Sequence, residues 1–443
     1  MKKSSIFAIF LCSFILVIYF FYLSFAKQIS YYSAHVACGN YYISERPLSL
    51  IIAQEGKIKP FDNTWMDNLF YNMMEYSANS EDSTLTVAFG SVETKMKFYP
   101  SYGCSTDLNK EVEGIPNTNN DHHEVYVDSA VQKLIEDEYI SDSGTRALVV
   151  MQKDKIIGQK FDNYSSINTP LLSWSMTKSL TSLLFGRLLK ENLISLDEFV
   201  FPDSLDPKKK LLTYKHLLNH VDGLDYKEAY FPFTDFFEMF VSEDIGDHLV
   251  NLKYKYSPGD YWAYSSAATN LLTYKLTEIG NDLGFDIEKM FQHFLFNDLD
   301  IYDAVIAKDP SGNMIASSLG FLSPSSWLKI GQLMNNEGIY KKKQLIDKEF
   351  IEFMITPAIL SNETYIANFG GQWWLNTNDK YISPELYQIK QKIFSANGFQ
   401  GQRLMVIPDL NILIVRMGLT DARTEWNNEG IFIKKIIENV NLD

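Results

Sequence analysis

The sequence predicts an α+β fold: an antiparallel sheet built from two distant parts of the chain, flanked by N- and C-terminal helices, with a mostly helical lobe inserted between them. A hairpin pattern covers 146–151 and 156–161, and strand patterns return at 402–407 and 412–416. Between them, helical periodicity dominates 170–381. Strands joined by short loops pair antiparallel, and a functional site is expected in the cleft between the sheet and the lobe.

Two amphipathic segments supply the flanking helices. Apolar residues recur at helical spacing in 127–140, before the hairpin, and in 431–440, at the end of the chain. Because a sheet has to bury its apolar face against another element, we expect these helices to cover it.

Composition limits the classes of function. The chain has 443 residues, of which 46% are hydrophobic and 14% aromatic, so it has enough apolar material for a large packed core. The 55 Asp and Glu residues outnumber the 40 Lys and Arg residues, which gives a formal net charge of −15. A surface of that sign repels phosphate backbones, so no nucleic acid is expected as a partner.

The first 26 residues differ from the rest of the chain. Lys2 and Lys3 precede an uncharged apolar stretch over 4–26, which at helical rise is about 35 Å long and can cross a bilayer. Positive charge before the span keeps the N-terminus in the cytoplasm. The sequence predicts a membrane anchor, or a signal peptide if the motif at 24–26 is cleaved. In both cases the rest of the chain is exported, either anchored to the membrane on its periplasmic or extracellular side or secreted.

The exported part divides into three segments. Residues 27–112 form an N-terminal region of short apolar runs, and 113–123 is polar, contains Gly114 and Pro116, and is interpreted as a linker. The main domain, with the patterns that predict the sheet and the lobe, occupies 124–443.

Two cysteines lie outside the predicted span. Cys38 and Cys104 would be in an oxidising compartment, which favours a disulfide between them. A lipid attached to Cys38 and a pair of buried free thiols are the alternatives. Cys12 lies inside the span and has no partner there.

Ser175 and Lys178 stand at the beginning of a predicted helix. Apolar residues follow helical spacing from Met176 onward, so the N–H of Ser175 and the helix dipole favour negative charge there, and Lys178 lies one turn later on the same face. A serine hydroxyl needs a base near pH 7, and a lysine desolvated in a cleft loses its proton more readily. The pair predicts a nucleophile and its base.

The spacing alone is not specific. Ser326 and Lys329 repeat it, and we expect that pair to be an ordinary helix start on the surface. Only Ser175 is followed by further candidates. A Pro-Gly turn delivers Tyr264 to the start of a helix, where its hydroxyl is placed to relay a proton to the leaving group. Ser266, two residues on, is a candidate hydrogen-bond partner of the substrate or of the lysine.

The last element lies near the C-terminus. Gly398 enters a strand, and a glycine at a strand edge lets a substrate approach the backbone closely. The N–H of Phe399 is predicted to be the second donor to an oxyanion, with that of Ser175 as the first. Three tryptophans are candidates for the lining of an apolar pocket: Trp262, Trp373 and Trp374.

Together these elements resemble the serine β-lactamase and penicillin-binding superfamily, which carries the Ser-x-x-Lys pattern. The chain is most similar to the β-lactamase-related serine hydrolases that include 6-aminohexanoate-dimer hydrolase and esterases similar to class C β-lactamases. The supporting segments are WSMTKS (174–179), NHVDGL (219–224), DPSG (309–312), GGQWWLN (370–376) and 401–409. The resemblance implies a β-lactamase/transpeptidase-like fold and a serine hydrolase that forms an acyl-enzyme on Ser175 without a cofactor.

Two departures from the superfamily bear on the substrate. β-Lactamases and peptidases carry Tyr-x-Asn or Ser-x-Asn where this chain has Tyr-Ser-Ser at 264–266, and Lys or His before Thr/Ser-Gly where it has Ala-Asn-Gly at 396–398. That cation helps to hold a substrate carboxylate. We therefore expect a small-molecule or peptide-like amide or ester without an obligatory carboxylate, unless Arg403 turns inward and replaces the cation.

Two alternative functions stay open at this point. One is a slow penicillin-binding or sensor-type protein of the same fold, although a tail of three residues before the span leaves little to signal with. The other is a D-Ala-D-Ala peptidase or a β-lactamase. His216 and His220 have a spacing that can bind zinc, but they lack the acidic residue of a His-Glu-x-x-His motif, so no metal is predicted.

Overall fold

The structure is a computed structural model that describes residues 2–55, 72–100, 102–106, 121–141, 144–366, 368–376, 386, 388–420, 426 and 428–440. Within these residues the α-helices are α1 (Lys2–Tyr42), α2 (Leu48–Gln54), α3 (Ser129–Ser141), α4 (Thr177–Lys190), α5 (Tyr214–Leu218), α6 (Asp235–Phe240), α7 (Ile245–Val250), α8 (Ser266–Asp282), α9 (Ile287–Phe291), α10 (Pro324–Asn335), α11 (Lys348–Met354) and α12 (Glu429–Asn439).

In the part of the chain that the structure describes, the strands fall into five sheets. They are β1 (Met74–Asn79), β2 (Thr84–Phe89), β3 (Val92–Tyr99), β4 (Gly103–Ser105), β5 (Thr145–Gln152), β6 (Lys155–Phe161), β7 (Leu171–Leu172), β8 (Val305–Ile306), β9 (Gly320–Leu322), β10 (Ile339–Tyr340), β11 (Lys343–Gln344), β12 (Ala358–Ile359), β13 (Tyr365–Ile366), β14 (Trp374–Leu375), β15 (Phe394–Gly398), β16 (Gln402–Ile407) and β17 (Ile412–Gly418).

The largest sheet joins the two ends of the main domain. Its six strands run in the order β14-β15-β16-β17-β5-β6, and every neighbouring pair is antiparallel. The hairpin β5-β6 forms one edge, the C-terminal strands complete the sheet, and most of the helices lie between them in the chain. This confirms the predicted α+β fold.

The sheet is covered on both faces, since every residue of its central strands β16 and β17 is buried. In β5, Leu148 and Val150 pack against α3 and α12, whereas Val149 and Met151 point to the opposite face and join the core of the lobe. This is the alternation that a strand imposes. On that second face, α10 lies against β16 and β17. The cavity described below opens beside this sheet.

The N-terminal helix extends beyond the predicted span over 4–26. α1 continues to Tyr42, and one stretch of it is long and apolar enough to cross a membrane. Its described side chains are exposed up to Phe21, and burial begins in the next turn, so that Phe25 and Ala26 are buried. The helix does not end at Ala26 because its continuation packs against the protein.

The N-terminal region packs on this continuation. β1 to β4 form an antiparallel sheet whose inner residues, including Val87 and Met96, contact α1. A disulfide joins Cys38 of α1 to Cys104 of β4, with a sequence separation of 66 residues. A cross-link that closes a loop of this size stabilises a fold by about 4 kcal/mol in the chain-entropy model.

The predicted linker is described only at its end. Residues 113–120 lie outside the described residues. Asp121 forms an ion pair with Lys329, and His123 forms a hydrogen bond of 2.8 Å with Ser325 Oγ, both on α10.

The expectation that Ser326 and Lys329 lie on the surface is wrong. Both are buried, because α10 packs its apolar face on the sheet and its N-terminal turn is covered by neighbouring loops. Ser326 Oγ donates to Asp303, and Lys329 Nζ pairs with Asp121 and donates to the Asp300 carbonyl. Ser326 and Lys329 therefore bond to other residues, and we assign them a structural role.

Candidate active site

Ser175 lies in a short turn between a strand and a helix. The 3₁₀ turn Trp174–Met176 connects β7 to α4, and it is fixed from below because β7 pairs with β9 and Ser173 N–H donates to the Gly320 carbonyl at 2.8 Å. Of residues 171–188, Ser175 is the only one that is not buried. The fold therefore presents this one side chain from an otherwise buried segment.

Trp174, directly before Ser175, has a backbone conformation that is rare for a bulky residue. Its φ is 48°, in the left-handed region, where side chains other than glycine are strained. Its ring stacks on Tyr32 of α1 with centroids 6.0 Å apart and meets Phe399 edge-on at 5.6 Å. Its indole N–H donates to Gln400 Oε1 at 3.0 Å. These contacts hold the turn that presents Ser175.

Lys178 projects from the first turn of α4 into a buried group of oxygen atoms. Its side chain is buried, and Nζ lies 3.1 Å from Ser175 Oγ. Nζ also donates to the Ser317 carbonyl at 2.7 Å and to Ser266 Oγ at 3.2 Å. It lies 4.9 Å from the centroid of the Tyr264 ring. The structure thus brings the predicted Ser175, Lys178, Tyr264 and Ser266 together.

Two contacts of this group were missed by sequence reasoning. Ser317 supplies a backbone carbonyl, and its own N–H donates to Asn270 Oδ1 at 2.9 Å. Glu228, in the loop between α5 and α6, accepts from Ser266 N–H and from Ser266 Oγ, each at 2.7 Å. A carbonyl oxygen leaves no signal in a sequence. Glu228 had one, as a carboxylate within an aromatic segment over 226–233.

These partners fix the direction of the hydrogen bonds around Lys178. The Ser317 carbonyl can only accept a hydrogen bond. Ser266 Oγ also accepts from Lys178, because its single O–H already donates to Glu228. A neutral amine at Lys178 therefore directs its two N–H groups at these oxygens. Its lone pair remains for the proton of Ser175 Oγ.

The charge state of Lys178 depends on its surroundings. Burial lowers its pKa to about 8, and the negative charge of Glu228 acts in the opposite direction. Near neutral pH a usable fraction of the side chain is therefore unprotonated, which is the form that can accept a proton.

His220 supports the segment that carries Tyr264. Its Nδ1 accepts from Ser265 N–H at 3.2 Å, and its ring packs edge-on against Tyr264 with centroids 5.2 Å apart. Burial, with the charge of Lys178, holds the pKa of His220 well below its usual range. His216 instead bonds Thr213. Within the described part of the chain, no group of three or more metal-ligating side chains is assembled.

Gly398 brings the end of β15 against the turn of Ser175. A Cβ on Gly398 would lie 2.3 Å from the Ser173 carbonyl oxygen, a separation that no side chain can occupy. Glycine is therefore required for the close approach of the two segments. Ser175, Gly398 and Phe399 border the same cavity, so the two predicted oxyanion donors face one space.

The cavity beside Ser175 has a volume of about 570 Å³. Its lining is mixed and combines apolar side chains with amides, hydroxyls and one ion pair. The lining residues are Ser175, Tyr230, Tyr264, Trp374, Leu375, Asn376, Leu386, Ile393, Ser395, Asn397, Gly398, Phe399, Arg403, Met405, Trp426 and Glu429.

Of the three predicted pocket tryptophans, only Trp374 borders this cavity. Trp373 directly precedes β14 and is fully buried, with its ring edge-on against Phe394. Trp262 packs on Phe369, which in turn contacts Trp374. The prediction that Trp262 and Trp373 line the pocket is therefore corrected.

Arg403 lies at the cavity wall and forms an ion pair there with Glu429. It pairs with Asn397 across β15 and β16, and its Nε donates to Glu429 Oε1 at 2.6 Å. Its Nη1 donates to the Gly398 carbonyl at 3.3 Å. The positive charge at this wall is therefore matched by the Glu429 carboxylate.

Comparisons with known proteins were made for the family and for the fold. A family model described as Beta-lactamase matches residues 142–424, a range that contains all the side chains around Lys178. Comparison with curated proteins gave no match.

Solved structures share the fold at low sequence identity. A protein from Bacillus anthracis assigned as a 6-aminohexanoate-dimer hydrolase is 16% identical, with a TM-score of 0.59 over 72% of this chain and 87% of that one. A protein from Bacteroides dorei assigned as a beta-lactamase is 14% identical, with a TM-score of 0.54 over 71% and 99%. A penicillin-binding protein homologue from Pyrococcus abyssi is 15% identical, with a TM-score of 0.52 over 70% and 77%.

Proposed function

Because the chain belongs to the beta-lactamase family, we propose that it is an exported serine hydrolase that cleaves an ester or amide bond through an acyl-enzyme on Ser175. One observation carries this proposal: the buried Lys178 Nζ lies 3.1 Å from Ser175 Oγ, with its other neighbours oriented as acceptors. Hydrolase activity in general follows from the family. The proposal assigns Ser175 as the nucleophile, Lys178 as the base and an ester or amide as the bond that is cleaved.

The geometry supports an order of steps. Neutral Lys178 takes the proton of Ser175 Oγ as that oxygen attacks the substrate carbonyl. The negative charge that develops on the carbonyl oxygen faces the N–H groups of Ser175 and Phe399. The leaving group departs with a proton from Lys178, relayed through Tyr264, and an acyl-enzyme remains. Water then attacks the ester carbonyl while Lys178 takes one of its protons. As the bond between the acyl carbon and Ser175 Oγ breaks, Lys178 gives this proton to Ser175 Oγ, which releases a carboxylic acid and restores the serine hydroxyl and the neutral amine.

Glu228 has a positioning role in this scheme. Glu228 accepts a hydrogen bond from the Ser266 hydroxyl, so Ser266 Oγ can only accept from Lys178. The lone pair of the neutral lysine is then directed at Ser175. The charge of Glu228 also keeps the pKa of Lys178 from falling further.

Export and anchoring are supported by α1. Its exposed apolar part follows two lysines and is continuous with the buried part that holds the N-terminal sheet. Ala26, the last residue of the small-residue motif, is fully buried inside this helix. A protein that uses α1 in this way keeps its first 26 residues as an anchor.

Mass spectrometry of the intact protein tests the acyl-enzyme. After a brief reaction with p-nitrophenyl acetate and acid quenching, we expect an added acetyl group on the peptide that contains Ser175, together with continued release of p-nitrophenol. One equivalent released without further turnover would support a slow binding or sensor protein instead. Turnover with no adduct on Ser175, or with the adduct elsewhere, would contradict the mechanism.

The pH dependence reports on Lys178. Since the base must be unprotonated and burial lowers its pKa to about 8, kcat/KM is expected to rise tenfold per pH unit below about pH 8 and then to level off. Glu228→Gln removes a charge that raises this pKa, so the rising limb is expected to move to lower pH while kcat falls.

Glu238→Gln provides the control, since Glu238 is exposed on α6 and should leave both the limb and kcat unchanged. A limb that does not move in Glu228→Gln would show that this carboxylate does not act on the base.

A further inference from the structure

We propose that the cavity beside Ser175 receives its substrate from the bilayer that holds α1, and that this substrate is an amphiphilic ester or amide with an alkyl chain. The inference rests on the proposed serine hydrolase function and adds the substrate class and the route of entry. It is carried by a loop that contacts both the apolar part of α1 and the catalytic group.

The length of α1 determines how far the domain lies from the membrane. A hydrocarbon core of about 30 Å takes about 20 helical residues. Counted from Lys3, this places its outer boundary near Leu23. The side chains of α1 are exposed up to Phe21 and buried at Phe25. The buried part therefore begins within about one helical turn of the boundary, so the domain lies directly on the bilayer surface.

The loop over 226–234, between α5 and α6, contacts α1 and lines part of the cavity. Phe233 stacks on Phe21 of the apolar stretch with centroids 4.4 Å apart, and its N–H donates to Gln28 Oε1 at 2.7 Å. Three residues earlier, Tyr230 lines the cavity and contacts Phe399, with ring centroids 5.6 Å apart. Three residues span at most about 11 Å. The Tyr230 side of the cavity is therefore held close to the point where α1 leaves the bilayer.

The tip of this loop carries exposed aromatic side chains. Tyr230 is 51% exposed and Phe231 is 40% exposed, and they precede Phe233, which contacts α1, by three and two residues. Aromatic side chains at such a level are typical of the membrane–water interface, where an apolar ring and a polar surface are both satisfied. The exposed rings of this loop suit contact with lipid.

The cavity lining includes apolar side chains, among them Leu375, Ile393, Met405 and the ring of Trp374. An alkyl chain bound there contacts apolar side chains instead of water or lipid. The carbonyl group of the same molecule lies at Ser175, next to the polar lining residues. Such a site selects a molecule with one apolar and one polar end.

The test uses the full chain reconstituted in phosphatidylcholine vesicles with two esters of the same leaving group. p-Nitrophenyl butyrate dissolves in water, and p-nitrophenyl palmitate stays in the bilayer. We expect palmitate in the enzyme's own vesicles to be hydrolysed at least about tenfold faster than palmitate supplied in separate vesicles. Butyrate should be hydrolysed equally in both arrangements.

A loop variant and a matched control accompany this comparison. Phe231→Asp is expected to lower palmitate hydrolysis about tenfold and to leave butyrate hydrolysis within twofold. Tyr164→Asp alters an aromatic residue of similar exposure that lies beside Arg46, beyond the far end of α1, and should change neither rate.

The outcomes separate the two proposals. If both esters are hydrolysed in a Ser175-dependent manner but palmitate shows no preference for the enzyme's own vesicles, the membrane route is overturned and the hydrolase stands. If neither ester is hydrolysed, or if Ser175→Ala keeps the activity, the proposed function itself is overturned.

Discussion

Lys178→Met is expected to lower kcat on p-nitrophenyl butyrate by about 10³-fold, and Ser175→Ala is expected to lower it at least as much. General base catalysis by a positioned side chain contributes about 10²- to 10⁴-fold. Methionine keeps most of the buried volume of the lysine but cannot accept the proton of Ser175 Oγ, which lies 3.1 Å from Nζ. Steady-state kinetics of the purified variants, with folding checked by circular dichroism, measure the loss.

The second Ser-x-x-Lys pair of the chain supplies the matched control. Ser326→Ala and Lys329→Met make the same substitutions at a buried pair that is bonded to Asp303 and Asp121. Each is expected to lower the free energy of unfolding by about 1–3 kcal/mol, because a carboxylate that is buried (Asp303) or partly buried (Asp121) loses a partner. The kcat of the folded protein should stay within about twofold. Similar losses of kcat at both pairs would contradict the assignment of Ser175 and Lys178.

The parts of the fold that could be predicted are those set by local sequence. β16 begins and ends where the strand pattern does, at Gln402 and Ile407, because apolar residues and the following Pro-Asp turn determine both strand and end. The approach of Lys178 to Ser175 is local as well, since residues three apart lie on one face of a helix.

The parts that could not be predicted depend on packing between distant segments. Glu228 reaches Ser266 only because the loop between α5 and α6 folds over the start of α8. α1 continues past Ala26 because a sheet distant in sequence covers it. Trp373 and Trp374 differ in role because the first is fully buried and the second borders the cavity, and the pattern of two tryptophans leaves that choice open.

The substrate class depends on how the charge of Arg403 is used. Sequence alone left its direction open, and the structure places its guanidinium at the cavity wall in an ion pair with Glu429. A guanidinium already matched by a carboxylate is not available to hold a second one, and neither Ala396 nor Asn397 carries a charge. The cavity therefore offers an anionic substrate group no unmatched cation among its described lining residues.

We accordingly expect kcat/KM for p-nitrophenyl butyrate to exceed that for benzylpenicillin or a D-alanyl-D-alanine peptide by at least about 100-fold. A charge-assisted hydrogen bond contributes about 1.5–3 kcal/mol, which corresponds to about 10- to 150-fold for a single lost contact. Desolvation of the unpaired substrate carboxylate adds to that penalty. Kinetics on the three substrates with one enzyme preparation provide the comparison.

Glu429→Gln tests the physical reason for this preference. It removes the counter-charge of Arg403 while keeping the shape of the side chain, so the ratio of ester to penicillin hydrolysis should fall by about tenfold. Glu438→Gln, at an exposed position on the same helix, should leave the ratio unchanged. If the unmodified enzyme hydrolyses penicillin efficiently and Ser175→Ala abolishes that activity, another group holds the carboxylate and the role given to the Arg403–Glu429 pair is wrong.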